Sequence, residues 1–282
     1  MSDNAADDYV TRWRDASPQR SVAWLFLRPD ERNCFGALAA LEGEWLRVLH
    51  DVREPLVAAT KLGWWREEVQ RAVQGEARHP LLVALFADAR ARAVPAERWI
   101  AAVDAASMAF ATEVPADFAA QCEAAAPLAA AFAALETAVW FGVGAVSPRA
   151  AQVVMCVQLT ANVRMLAAEV EHGRSPLPMN LLARHGLTIE ALAADGAEQH
   201  AAVADYLVGL QRTFAAAVKM PGPLTLLRSV DAQRDRATLR RALHAAQPVA
   251  ELALPLHGAL GALKIWHAAR TWRATPRIET LA

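Results

Sequence analysis

Two stretches of this chain carry residue types at spacings that could do more than fill space. The first is Lys61-Leu62-Gly63-Trp64-Trp65-Arg66-Glu67-Glu68-Val69, followed by Gly75 and then His79-Pro80. Paired tryptophans on a helix are large, stiff packing elements, and packing alone would account for them. The second stretch runs from Gln158-Leu159-Thr160 through Arg164 to Gly173-Arg174-Ser175-Pro176-Leu177-Pro178, then Leu181-Leu182 and Gly186-Leu187. There a helix ends at Gly173, a proline-set elbow follows, and a new helix starts. The histidines add little. His79, His185 and His257 sit where helices meet, and a lone His at such a place is more often a surface or capping residue than a metal ligand. No GxGxxG, P-loop, HExxH or GxSxG pattern occurs, which removes the most direct enzyme readings. Cys34, Cys122 and Cys156 are too scattered for a disulfide framework or a CxxC metal site.

Helices must position these residues. The 282-residue chain is long enough to bury a sizeable core. Its 55% hydrophobic and 21% charged composition is the opposite of a disordered one. With 29 Lys plus Arg against 30 Asp plus Glu, the net charge is -1, so there is no basic footprint and nucleic acid is excluded as a partner. Ala, Leu, Arg and Glu are plentiful, Ile and Tyr are scarce, and no segment alternates with period two, so the expected fold class is all-α. Prolines and glycines divide the chain into helices near 18–27, 30–50, 54–74, 79–92, 96–111, 115–122, 127–143, 148–172, 178–184, 188–193, 197–218, 221–228, 235–245 and 249–272. Residues 1–15 and 274–282 are expected to be flexible ends around a single domain over 16–273. The polar, acidic start lacks the basic and apolar regions of a signal peptide, and no uninterrupted apolar run of about 18 residues is present. A cytoplasmic location follows as the expectation, with peripheral contact at the inner membrane left open.

In order and spacing, the two stretches together resemble the squalene/phytoene synthase family. KLGWWREEV…G…HP is similar to that family's KLAWWR…G…HP helix, and QLTANVR…GRSPLPMNLLARHGL to its QLTNILRD…GRxYLP…LL…GL. Pro29-Asp30-Glu31-Arg32 leading into Ala37-Leu38-Ala39-Ala40-Leu41 resembles PxxxRxAxxALYAF, and Trp140-Phe141-Gly142-Val143-Gly144 stands where the family has AGxVG. The resemblance covers roughly residues 20–215. It implies a single-domain isoprenoid-synthase-type helical bundle around a central cavity, with the helices carrying Leu46 and Met165 facing each other. Trp65 is then expected in a helix–helix contact and Trp64 toward the cavity or an edge.

The resemblance also implies a chemistry: head-to-head joining of two prenyl diphosphates, with Mg²⁺ held by two aspartate-rich motifs to neutralise the leaving group. The sequence departs from the family at those motifs. DDxxD falls on Leu46-Arg47-Val48-Leu49-His50, so its aspartate positions read Leu46, Arg47 and His50. DxxxD falls on Met165 to Glu169, and only Glu169 keeps a carboxylate. Pro176 and Ala39 replace two family tyrosines. An apolar side chain cannot ligate Mg²⁺ and Arg47 repels it, so no catalytic or metal-ligating residue is assigned and no cofactor is expected. Arg164 and Arg174, which border the family's diphosphate site, are candidates for a remnant anion site. Leu254-Pro255-Leu256…Lys264-Ile265-Trp266…Arg270-Thr271-Trp272-Arg273 resembles the end of the non-catalytic branch that includes the assembly factor of respiratory complex I. The expected function is that of a non-catalytic assembly or lipid-binding factor, with a prenyl or lipid ligand and a respiratory-complex or membrane-protein partner. The alternative is an active head-to-head prenyltransferase on prenyl diphosphates, which would need Mg²⁺.

Overall fold

The computed structural model describes residues 3–110, 113–254 and 259–274. Among them the regular structure is helical, with no strand. The helices are α1 (Asp3–Asp15), α2 (Pro18–Trp24), α3 (Pro29–Asp51), α4 (Pro55–Val73), α5 (Pro80–Phe86), α6 (Ala89–Arg92), α7 (Ala96–Ala109) and α8 (Phe118–Phe141). They continue with α9 (Pro148–Arg164), α10 (Leu166–Glu171), α11 (Met179–Arg184), a 3₁₀ turn at Glu190–Ala193, α12 (Ala197–Ala217), α13 (Leu226–Ala242), α14 (Pro248–Ala253) and α15 (Ala259–Ala274). Four of the longest, α3, α4, α8 and α9, carry the two stretches singled out in the sequence and the core around them.

Helix α4 shows how the pattern works. Ala58, Leu62, Trp65, Val69 and Ala72 recur at intervals of three and four, and all are buried. Trp65 is 6% exposed and its ring lies 6.4 Å from that of Trp45, which is fully buried and 5.9 Å from Phe132. Trp64, about 100° further round the helix, is 46% exposed. The carboxylate of Glu68, on the buried face, accepts the backbone N–H groups of Arg78 (2.5 Å) and His79 (2.6 Å) and pairs with Arg71. His79 in turn caps α5, its Nδ1 accepting from the Leu81 N–H, and its ring sits 4.6 Å from Trp65. The WW…E…HP pattern is therefore a structural clamp between α4 and α5.

The helix boundaries depart from expectation at several points. Residues 3–15, expected to be a flexible end, form α1, because Ala6, Tyr9, Val10 and Trp13 make an apolar stripe within a polar segment and pack on the core. Gly36 on α3 makes room for α1 and α2: a Cβ there would run into the Trp24 ring and lie 3.1 Å from Val10 Cγ1. Residues 118–141 form one helix straight through Pro127, held by buried Leu128, Ala129 and Phe132 on the following turns. By length and composition this helix could cross a membrane, and just over half of its most apolar stretch, 56%, is buried inside the fold. The segment expected as one helix over 148–172 breaks at Met165, where φ is -97° and ψ is 23°. The two short helices expected near 221–228 and 235–245 are one, α13. Of the flexible end expected over 274–282, Ala274 closes α15, while 275–282 and the Pro255–Leu256 part of the C-terminal resemblance, with His257, lie outside the described residues.

These positions set the expected cost of truncating each tryptophan. Trp65→Ala should lose about 3–5 kcal/mol in urea unfolding, the usual cost of removing a buried aromatic, while Trp64→Ala should lose under about 1 kcal/mol. Equal losses from the two variants would contradict the placement.

Candidate functional site

The family-motif positions meet at one end of α3. His50 Nδ1 lies 2.7 Å from Glu169 Oε1 on α10, with the imidazole N–H donating. Arg174 Nε donates to Glu169 Oε2 at 2.6 Å, and its Nη2 donates to the His50 carbonyl at 2.7 Å and approaches His172 Nδ1 at 3.0 Å. Its Nη1 reaches the Val52 carbonyl at 3.3 Å. Gly173, at φ +72°, allows the chain to turn out of α10 into this contact. Burial pushes the Glu169 carboxyl up, but the hydrogen bonds and charges of His50 and Arg174 outweigh it and hold the group below the usual carboxylate range. The surviving carboxylate of the second motif is thus tied to a residue of the first.

The remaining motif positions scatter. Leu46 lines two cavities. Arg47 turns to Glu44 at 2.8 Å on its own helix. Met165, at the α9–α10 break, is half-buried and is not among the residues lining the cavity beside Glu169. Arg164, expected beside an anion site, is directed elsewhere: Nη2 pairs with Asp235 at 2.7 Å and Nε donates to the Leu252 carbonyl at 3.0 Å. Arg174 does line the cavity, with four of its five N–H donors directed at Glu169, two carbonyls and His172. Of the joint histidines, His185 pairs with Asp205 at 3.0 Å and His79 is a cap.

The larger of the two cavities beside Leu46, about 390 Å³, lies between α3, α7, α8, α9 and the 173–178 elbow. Its walls are mostly apolar, with Leu49, Phe110, Leu128 and Leu159 prominent. The elbow is fixed by Gln121 Nε2 donating to the Pro176 carbonyl (2.9 Å) and by Met179 and Asn180 N–H groups bonding to the Pro115 and Ala116 carbonyls (2.9 Å each). The smaller cavity, about 240 Å³, lies between α1, α3, α8 and α13.

A buried ion network that the sequence reading missed borders this smaller cavity. Arg228 of α13 is sandwiched between Glu136 of α8 and Glu42 of α3, the latter at 3.1 Å. One turn on, Asp231 meets Arg20 (3.5 Å) and Arg234 (3.1 Å). Asp235, fully buried, holds Arg234 and Arg164 at 2.7 Å each. Burial and the charge of Glu136 drive the Glu42 carboxyl well above its usual range against the pull of Arg228. Burial also acts on Asp231, yet Arg20, Arg234 and Arg228 hold it at about 2. The signal was present as Arg228, Asp231, Arg234 and Asp235 at helical spacing. It was hidden by dividing this segment into two helices.

The donor set does not fit Mg²⁺. A hard cation takes several oxygen ligands, and the motif positions offer one carboxylate already paired with an imidazole and a guanidinium. Among the described residues, no group of three or more His, Cys, Asp or Glu is placed to hold a metal ion.

Comparison with known proteins agrees with the fold. A family model described as squalene/phytoene synthase matches residues 13–220. No curated protein sequence matches the chain. Among solved structures, that of a dehydrosqualene synthase in complex with ligand superposes with a TM-score of 0.71 at 10% identity, covering 98% of both chains. Squalene synthase HpnC from Alicyclobacillus acidocaldarius gives 0.56 at 18% identity, covering 95% of this chain and 93% of that one. At these identities the likeness to the two structures is one of fold.

The Glu169 ion pair has a definite pH signature. A carboxyl depressed in the folded state adds stability above its unfolded value and loses it as pH falls through the folded one. Glu169→Gln should therefore cost about 3 kcal/mol at pH 7, and the gap from wild type should close in urea titrations below the ordinary carboxylate range. A gap that stays constant with pH would show that the charge of Glu169 does not matter.

Proposed function

The chain belongs to the squalene/phytoene synthase family, and we propose that within it this protein has exchanged prenyl transfer for the binding of a lipid, as an assembly or lipid-binding factor working peripherally at a membrane. The observation that carries this reading is the closed contact of His50, Glu169 and Arg174 at the meeting point of the two motifs. Ionising an allylic diphosphate builds negative charge on the leaving group, and that charge must be met at the moment of cleavage. In the family Mg²⁺ does this. Here Leu46 supplies no ligand, Arg47 is turned to Glu44, and Arg174 is bonded to Glu169 and backbone carbonyls. Donors already bonded to the protein give no preference for a transition state over a ground state.

The apolar cavity persists beside the lost chemistry. Its walls gain free energy from covering a lipid chain in proportion to the apolar area removed from water, and this needs no metal. A membrane-protein partner of the kind served by the non-catalytic branch fits a protein that holds lipid without transforming it; the C-terminal likeness supports this, with Ile265 buried and Trp266 partly exposed on α15.

The test is direct. Purified protein incubated with farnesyl or geranylgeranyl diphosphate and Mg²⁺ should release no diphosphate above a protein-free control. Squalene, phytoene or a cyclopropyl diphosphate intermediate among the products would establish the enzyme instead.

A further inference from the structure

The groove between α12 and α13 gathers three arginines that no carboxylate balances. Arg236 and Arg240 stand one turn apart on α13 and face Gln211 and Arg212 of α12 across a cleft of about 200 Å³. Phe214 and Leu239, both buried, form its floor. Arg236 is half-buried, while Arg212 and Arg240 are exposed, so the cluster is open to solvent. No acidic side chain lines the cleft. Among the described residues, none of the three arginines has a carboxylate within ion-pair distance, whereas Arg164, Arg228 and Arg234 in the core each have at least one.

This arrangement works against the fold. Like charges at i and i+4 on a helix repel. Burial and the charge of Arg240 lower the pKa of Arg236, yet an arginine stays charged at neutral pH. Helix geometry does not account for the cluster. A cation in the last turn of a helix is favourable, which suits Arg240 and Arg241 of α13. Arg241 already serves there, pairing with Glu251 and donating to the Leu254 carbonyl. Arg236 stands before that turn, and Arg212 belongs to another helix.

We propose that this groove binds a phosphate group, held by the guanidinium forks of Arg212, Arg236 and Arg240. Planar guanidinium groups match pairs of phosphate oxygens. A phosphomonoester carries a charge of about -1.5 to -2 at neutral pH, which balances three cations better than a single carboxylate does. The small volume suits a head group rather than a whole large ligand, and the buried floor strengthens each charge contact. The groove shares no lining residue with either cavity beside Leu46. It is therefore separate from the motif positions, and its role does not depend on whether prenyl transfer occurs. A free phosphate ester and a phospholipid head group present the same chemistry to it.

Calorimetric titration of inorganic phosphate into the full chain, at constant ionic strength in chloride, tests the site. Phosphate should bind about tenfold more tightly than acetate, and Arg236→Gln or Arg212→Gln should weaken it about tenfold, as loss of a charge-assisted hydrogen bond does. Arg53→Gln, which removes the same charge from an exposed arginine outside the groove, should leave it unchanged. In phosphate-free urea titrations Arg236→Gln should unfold no earlier than wild type, because it relieves repulsion; removing a structural arginine would do the opposite. Co-sedimentation with phosphatidylcholine vesicles, with and without phosphatidic acid, separates the two sources. Binding that needs phosphatidic acid and is lost in Arg236→Gln identifies a lipid head group, and phosphate binding without vesicle binding identifies a free ester. Phosphate held no more tightly than acetate, or held equally by wild type, Arg236→Gln and Arg212→Gln, would overturn the proposal.

Discussion

The arrangement of the bundle depends on a charge balance struck out of contact with water. Arg20 of α2, Glu42 of α3, Glu136 of α8 and Arg164 of α9 each send a charge to α13, where Arg228, Asp231, Arg234 and Asp235 receive them. Taking such groups out of water costs several kcal/mol per ion, and mutual attraction offsets it only when the geometry is good. Well-packed apolar residues could stabilise the same interior as effectively. What the ions add is position: a helix that slides or rotates leaves a buried charge alone. This explains why α13 has so little apolar character of its own and is nevertheless central. It also explains the Arg164 side chain, which a sequence argument assigns to an anion and the fold assigns to Asp235.

At the neighbouring motif positions the same principle ties α3 to α10. Carboxylates on two facing helices repel one another and need a cation between them. With Leu46, Arg47 and His50 on one side and Glu169 alone on the other, that repulsion is absent. His50 reaches Glu169 directly at 2.7 Å, and Arg174, itself bonded to Glu169, donates to the His50 carbonyl at 2.7 Å, so α3 and α10 are joined. The charge of Glu169 here serves cohesion between helices.

Much of this was readable in the sequence, and the failures have physical causes. The α4 stripe, the different exposures of Trp64 and Trp65 and the elbow after Gly173 follow from helical spacing and side-chain chemistry, and the missing aspartates from the resemblance to the family's motifs. The tertiary partners do not. The pairing of His50 with Glu169 spans 119 residues, and that of Arg228 with Glu42 spans 186, far beyond what local spacing encodes. Pro127 reads as a break, yet burial of the following turns outweighs one missing N–H. The N-terminal segment reads as flexible because its charged residues obscure four apolar positions that pack.

Helix α3 shows why these changes belong together. Glu42, Leu46 and His50 follow one another at single-turn intervals and so share a face. Glu42 serves the ion network, Leu46 lines the two cavities, and His50 closes on Glu169. An aspartate at 46 would stand one turn from Glu42, whose carboxyl is already driven up by burial and by Glu136, and would bring a further negative charge beside it. An aspartate at 50 would remove the donor to Glu169 and set two carboxylates together. Each reversion is unfavourable without the others and without a metal. The present residues therefore form a self-consistent set, and no single substitution leads from it back to a metal-binding face.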